Sequence, residues 1–568
     1  MQTPFSSTRK SATLLALAGA VALLTAGPAY ADFTIKPYFE FKKPRQISLD
    51  GDISLDTNGK SAPYFGAAGA TYVFGFEGIS QYDGATLNRN FIPPDTMGAV
   101  GRTQYLETSN GAFGVFDKST GTRLSLTADV AFWAAAGQTG ANGDTRVLYN
   151  AAAGRWVVAA FGGNTKDIQI AISDTDNALG TWKSVKYEGY AGLGFGATAD
   201  YPTLAMDTNA IYIGTNNFAP ATSGGANSFR GTTLNVIPVN SLFNPGAPSL
   251  AGFQQFTTPY VSGGPGEIDR GFAQQGINSR TPRSSGTVVA ASLSDFDIVG
   301  FKINGLTPNS AAGATLSAPT GLGETAYTSP GAARQPAAAV AANRRVVDAG
   351  DERISSASYE AGGRIYTLHT VDTTADGVDE ARVRYLVLDS STLAILDQGD
   401  IGTFGYDSYQ GSIAVNSFGQ VVVGYNRSGL DAATGKISFM ARTFNTAADG
   451  KLVATSNEIL LKESLTDDYH NGSLIGAASV GRQRWGDYSA VSLDPSDEQS
   501  FYLIGEFARE YNNAAGGHPG GTGASRWGTW VAVLNVTAVP EPSTYLLMLF
   551  GFGVVGATAL RRRAAQLH

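Results

Sequence analysis

The chain has 568 residues with 40 Lys and Arg against 48 Asp and Glu, a formal charge of −8. Without a basic stripe interleaved with aromatics, that balance excludes a phosphate-backbone binder, so no nucleic-acid partner is expected. Cysteine is absent, which excludes disulfides, thiolate metal sites and a cysteine nucleophile, while the length suffices for one large repeat domain or several ordinary ones.

The N-terminus carries Arg9-Lys10, an apolar run from Ala12 to Ala26, and the small residues Ala29 and Ala31 spaced for cleavage before Asp32. This pattern predicts a secretory signal over residues 1–31, removed by signal peptidase. Residues 32–92 alternate imperfectly and then turn rich in Gly, Ala and aromatics, and are read as an N-terminal extension.

Residues 93–538 repeat one pattern: a Pro-, Ser- or Thr-led apolar segment, a polar turn, and a second apolar strand. The clearest copy is Asp200-Tyr201-Pro202-Thr203-Leu204-Ala205-Met206-Asp207 followed by Ala210-Ile211-Tyr212-Ile213-Gly214. Others begin near Pro94, Arg146, Ile354, Gly411 and Trp485. The long interval between Asp207 and Tyr359 hides a degraded copy at Ser284–Ala291. A third strand follows each hairpin, as in Ile168-Gln169-Ile170-Ala171-Ile172 and Trp530-Val531-Ala532-Val533-Leu534. Short strands at recurring intervals, bounded by Gly, Asn, Asp and Ser, predict an all-β repeat fold. The expected architecture is a seven-bladed β-propeller that closes by bringing its terminal units together, with six or eight blades if one copy is miscounted.

Register gives the candidate site. Asp95, Asp200, Arg353 and Asp487 stand at or just before the first strand of separate units, so ring closure would carry them to one mouth, with Arg427, Arg484 and Glu506 approaching from nearby turns. Converging carboxylates can share acid and base or nucleophile roles, and arginine fixes an anionic group. Equally, each Asp could cap its own turn and each Arg pair with it. Trp485, at a strand start, is the tryptophan singled out for sugar stacking; Trp156, Trp182 and Trp530 read as packing residues.

Other chemistries lack their marks. His369 alternates with strand residues and reads as a hydrogen-bonded core or channel side chain. His470 and His518 fall in loops and read as solvent-facing, and no His-Glu-x-x-His motif occurs. No cofactor and no metal site is expected, although the acid-rich loop from Asp372 to Glu380 has oxygens suited to calcium, or is a solvated hairpin loop. No Gly-x-Ser-x-Gly elbow is present.

Two stretches carry family resemblances. Ser173-Asp174-Thr175-Asp176-Asn177-Ala178-Leu179-Gly180-Thr181-Trp182 looks like a lengthened Asp-box, and with the repeated units it distantly resembles bacterial secreted sialidase-like propellers. The Asp-box is structural in role, and no arginine cluster with a paired Tyr carries that family's site over. At the C-terminus, Val539-Pro540-Glu541-Pro542-Ser543, an apolar stretch over 544–560 and Arg561-Arg562-Arg563 closely resemble the PEP-CTERM sorting signal of exopolysaccharide-making Gram-negative bacteria. The resemblance implies a sorting tail over 539–568 recognised by an exosortase. It further implies processing near Pro540-Glu541-Pro542, a single transmembrane span with transient inner-membrane anchoring, and delivery to the cell surface or extracellular matrix. The functional expectation is an exported, non-enzymatic binder of carbohydrate or another surface macromolecule. The alternatives are a secreted glycan-active hydrolase with its site at the propeller mouth, and a structural scaffold.

Overall fold

The computed structural model describes residues 45–46 and 69–536, apart from 141–142, 191–197, 220–227, 261–267, 337–344, 374–378, 471–480 and 519–522. The signal segment, the sorting tail with Pro540, Glu541 and Pro542, and the expected span 544–560 lie outside the described residues.

The described chain is all-β, built from antiparallel meanders whose strands pair with their sequence neighbours. Sheet 1 comprises Met97–Val100, Gln104–Ser109, Ala112–Asp117 and Arg123–Ala128; sheet 2 comprises Gly143–Asn150, Arg155–Phe161, Asp167–Ser173 and Trp182–Glu188. In sheet 3, Thr198–Asp200 and Ala205–Met206 flank Ala210–Ala219, which continues to Ser228–Pro238 and Gln254–Pro259.

The closed seven-bladed propeller is corrected by this topology. Among the described residues no sheet closes on itself, and the strands form six principal open sheets with two small two-stranded ones. Two expected units are fused into sheet 4, which has nine strands, because Phe272–Ser279 pairs in parallel with Ser358–Ala361. Side chains reinforce that junction: Asn278 Nδ2 donates to the Ser358 carbonyl at 3.1 Å, and Arg283 forks onto Glu360, its Nε at 2.7 Å. Sheet 5 is built from Tyr406–Val415, Gln420–Gly429, Ser438–Thr446, Leu452–Ala454 and Ile459–Glu463. Sheet 6 contains Ala490–Leu493, Ser500–Tyr511 and Ser525–Val536. Its outer strand is Ala70–Ser80, drawn from the stretch read as an N-terminal extension.

The expected transmembrane span and inner-membrane anchoring are not found among the described residues: no helix there is long and apolar enough to cross a membrane.

The sequence makes these sheets because successive strand residues point to opposite faces and both faces are covered. In Arg155–Phe161, Trp156, Val158 and Ala160 pack with Tyr105 and Val115 of sheet 1, while Val157, Ala159 and Phe161 pack with Ile211 and Ile213 of sheet 3. A strand buried on both sides reads as an unbroken apolar run. Sheet 6 packs on sheet 5 through Leu503 against Val422, and on sheet 1 through Tyr502 and Ile504 against Tyr105. The first strands of distant units are thereby held around one region.

The Asp-box look-alike closes a turn. Thr181 Oγ1 donates to Asp174 Oδ2 at 2.6 Å, Ser173 Oγ to the Thr175 carbonyl at 2.6 Å, and Trp182 Nε1 to the Ala178 carbonyl at 3.0 Å. The Trp182 ring is buried edge-on against Phe132.

Candidate active site

A backbone device recurs where the first strands begin. Asp95, Asp144, Tyr201, Ala273 and Gln410 have φ of +47, +54, +54, +53 and +50°, the left-handed region rarely used by residues other than glycine. The pairing register shifts between Gly143 and Arg146, between Phe272 and Gln275, and between Tyr409 and Ser412, the mark of a bulge that re-aims side chains. Strain of this kind, about 1–3 kcal/mol per residue, persists where the surroundings enforce it.

The surroundings are polar. Asp95 accepts from Asn110 Nδ2 at 2.6 Å and from the Asp487 amide at 2.8 Å, joining residues nearly four hundred positions apart. Asn110 Oδ1 in turn accepts from the Asp144 backbone amide at 3.1 Å, and Asp144 Oδ2 accepts from the Tyr488 hydroxyl at 2.7 Å. Burial first, then the negative charges of Asp487 and Asp144, raise Asp95 to about 8. Burial, then Asp200 and Asp487, raise Asp144 to about 8. Glu506, 1% exposed, is held well above the usual carboxylate range by burial and then by Asp95 and Asp487. Asp95 and Asp144 are thereby set to hold protons near neutral pH, as functional carboxyls in low-dielectric sites do.

Arginines frame the cluster. Arg484 is buried with Nη2 3.5 Å from Asp487 Oδ2. Arg353 forks onto Asp351, Nε to Oδ1 at 2.6 Å, and lies over the rings of Tyr201 and Phe272, 4.4 and 5.0 Å from their centroids. Arg146 donates from Nε to the Pro202 carbonyl at 2.9 Å and from Nη1 to the Ser355 carbonyl at 3.0 Å, its guanidinium 3.6 Å above the Tyr488 ring. Beside them opens a narrow cleft walled by Tyr201, Asp351, Arg353, Gln410, Gly486 and Asp487.

Asp95, Arg484, Asp487 and Glu506 form one interacting group, with Arg353 on the cleft wall and Asp200 acting electrostatically on Asp144. Arg427 points elsewhere, pairing with Glu458 at 2.6 Å and covering Tyr406. Trp485 is fully buried, edge-on to Tyr469, with Nε1 donating to Asn426 at 3.2 Å, so it offers no face to a sugar. Asp144, Arg146, Tyr201, Asp351 and Gln410 escape sequence reasoning. For Asp144 a signal exists, since Asp144-Thr145 repeats Asp95-Thr96.

The histidines lie apart from the cleft. His369 is buried, with Nε2 2.9 Å from Glu324 and Nδ1 3.0 Å from the Glu352 carbonyl. Burial pushes its pKa down, but the Glu324 charge and hydrogen bond outweigh this and raise it. His470 is half-buried. His518, expected to face solvent, is buried against Tyr82, with Nδ1 2.6 Å from the hydroxyl. No group of three or more acids and histidines among the described residues could hold a metal ion. In the loop considered for calcium, Asp372 meets the Thr328 hydroxyl and Glu380 meets Arg334 and Arg382.

Residues 538–563 match the PEP-CTERM protein-sorting motif, which supports export with this sorting tag and implies the exosortase and signal-peptidase machinery that handles it. No curated protein matches the chain. Similar solved structures include a protein of unknown function from Dyadobacter fermentans, at 13% identity and TM-score 0.36 over 70% of this chain and 95% of that one. They also include the GH93 α-L-arabinofuranosidase of Fusarium graminearum with arabinobiose, at 11% and 0.35 over 68% and 91%. A third is Drosophila Semaphorin 1b extracellular domains 1–2, at 9% and 0.35 over 82% and 87%. Likenesses at these TM-scores carry no argument about this chain's activity.

Proposed function

We propose that the exported protein is a glycan-active hydrolase working at the cleft, with Asp487 facing the sugar and Asp95 and Asp144 behind it. The observation that supports this best is the convergence of Asp95, Asp144 and Asp487 from separate sheets or their entries, Asp487 on the cleft wall and the other two, raised to about 8, buried behind it. Glycoside hydrolysis needs a carboxyl that still carries a proton and a second carboxylate to act as base or nucleophile. Asp95 and Asp144 retain protons where an ordinary aspartate would have lost them, and half-buried Asp487 lies against Arg484 at the cleft wall. The chain's own contribution is to hold these protons, orient Asp487 through the hydrogen bond its backbone N–H donates to Asp95, and narrow the water-accessible space.

Non-enzymatic binding of a surface polysaccharide is the second reading, favoured by the Arg353–Asp351 pair. A guanidinium neutralised by a fork and stacked on two rings makes a rigid wall rather than a moving reaction partner.

Incubating the mature protein with a panel of glycans, including polysaccharide from its own producer, tests the proposal. Sugar release is expected, falling about 10²-fold or more in Asp487→Asn with the melting transition kept. No release from any glycan, or release indifferent to Asp487→Asn, would remove the hydrolase reading.

A further inference from the structure

His369 does not line the cleft, yet it stands directly behind one of its walls. It belongs to the strand Arg364–Asp372 of sheet 4, and the next residue along, Thr370, does line the cleft. Its Nδ1 lies 3.0 Å from the carbonyl of Glu352, and Glu352 sits between Asp351 and Arg353, both on the cleft wall. Its Nε2 lies 2.9 Å from Oε2 of Glu324, on the loop that follows Thr320–Gly321. Both side chains are fully buried. The same loop reaches the wall again, because the Ser329 hydroxyl donates to the Glu352 carboxyl. Thr328 also pairs with Asp372 through two backbone hydrogen bonds.

The chemistry of the ring makes this arrangement conditional. A neutral imidazole carries one N–H, and here both nitrogens face oxygens, those of a carbonyl and a carboxyl. With the ring protonated, both contacts are hydrogen bonds. A neutral ring turns a lone pair toward one of those oxygens, in a site where burial makes the mismatch costly.

The charged and titratable neighbours come from every element around the ring. Arg384, opposite His369 on the strand Ala381–Asp389, is 3.8 Å from Glu324 and forks onto Asp400, its Nε at 2.7 Å. The Tyr327 ring stands edge-on to the imidazole, 5.2 Å between centroids. Asp297, just before the strand Ile298–Asn304, accepts from the Glu324 amide at 3.2 Å. The Glu352 carboxyl is raised above 4.5 by burial and then by Asp351. Burial pushes His369 down. The charge of Glu324, its hydrogen bond and the Glu352 carbonyl outweigh that, against a smaller opposing push from Arg384, and hold it above 6.5.

We infer that His369 and Glu324 form a buried proton latch: the protonated ring holds the Asp351–Arg353 wall of the cleft against sheet 4, and loss of its proton as the pH rises lets that wall loosen. The latch acts whichever ligand the cleft takes. A histidine held above its ordinary value contributes stability that is fully present below 6.5 and lost as the pH rises through its value in the fold.

Histidine-labelled mature protein followed by NMR from about pH 5 to 9 tests this, together with hydrogen exchange of segment 349–355 over the same range. The His369 signal, identified by its loss in His369→Gln, is expected to be that of an imidazolium at about pH 6 and to titrate above the ordinary histidine value. Glu324→Gln removes the charge that holds the proton, and is expected to bring the titration below that value. Exchange of 349–355, corrected for the intrinsic effect of pH, is expected to rise about tenfold or more as the ring titrates. In His369→Gln it is expected to be fast already at about pH 6, leaving only the smaller rise that Glu352 brings. If His369→Gln does not fold, the signal that moves in Glu324→Gln identifies the ring, and exchange in the parent protein decides. A ring already neutral at about pH 6, or exchange of 349–355 that does not follow its titration, overturns the inference.

Discussion

Arg146→Met is expected to destabilise the protein by about 3–5 kcal/mol, read as a lowered denaturant midpoint with the slope unchanged. Arg146 starts from sheet 2, donates to the carbonyl of Pro202 at the entry to sheet 3 and to that of Ser355 before the second half of sheet 4, and lies flat on Tyr488 before sheet 6. One 2%-exposed guanidinium thus ties four parts of the chain. Methionine preserves much of the volume, so the loss isolates the hydrogen bonds and the charge: the buried Pro202 carbonyl and the half-buried Ser355 carbonyl each lose the Arg146 donor, and Asp144 loses a cation that favours its anion. Arg146→Lys should recover less than half of the loss, because an ammonium cannot fork between two carbonyls while stacking on a ring. A loss below 1 kcal/mol for Arg146→Met would show that packing alone holds these elements in place.

Glu107→Gln is expected to flatten the protein's loss of stability between pH 4.5 and 8. Glu107 is fully buried against the paired strands Ala70–Ser80 and Ser525–Val536 of sheet 6. Its carboxyl accepts from the Ile79 amide at 3.0 Å and from Thr529 Oγ1 at 2.6 Å. Burial dominates, and raises it from an ordinary 4.5 to about 8. Below pH 4.5 the acid is protonated whether the chain is folded or not, and its full contribution is present. As pH rises toward 8 the unfolded chain gives up the proton while the folded chain keeps it. The equilibrium therefore moves toward unfolding by on the order of 4 kcal/mol, and levels off once the folded group also ionises. Glutamine resembles the protonated acid and has no proton to lose. Stability curves of the two proteins should diverge steadily across this window, the variant becoming the more stable toward pH 8. Parallel curves would mean that Glu107 is already ionised in the fold.

Much of this was legible where the signal is local. The all-β character follows from two-faced apolar strands such as Trp156–Phe161, and Asp95, Arg353 and Asp487 stand out because they occupy equivalent positions in repeated segments. What escaped is non-local or ambiguous. The parallel pairing of Ile277, Asn278 and Ser279 with Ser358, Tyr359 and Glu360 crosses a long insertion, and nothing in either strand announces its partner. Ala70–Ser80 becomes a strand by adding to Ser525–Val536 at the far end of the chain, which its Gly- and aromatic-rich composition does not signal. An aromatic at a strand start reads the same whether it faces solvent or core. Trp485 is decided by Tyr469, sixteen positions upstream, and by Asn426. Asp144 was obscured because its copy of the repeat is recognisable only from Arg146 onward, after the bulge that turns the aspartate inward.

The central claim is that aspartates far apart in sequence meet in a desolvated group that keeps protons at neutral pH. An infrared titration of the mature protein, following the carbonyl band of protonated carboxyls from pH 5 to 10, measures this directly. A protonated population is expected to persist at pH 7 and titrate near 8, reduced in Asp95→Asn and again in Asp95→Asn/Asp144→Asn. Complete loss of the protonated band by pH 6, with those variants indistinguishable from the parent protein, would contradict it.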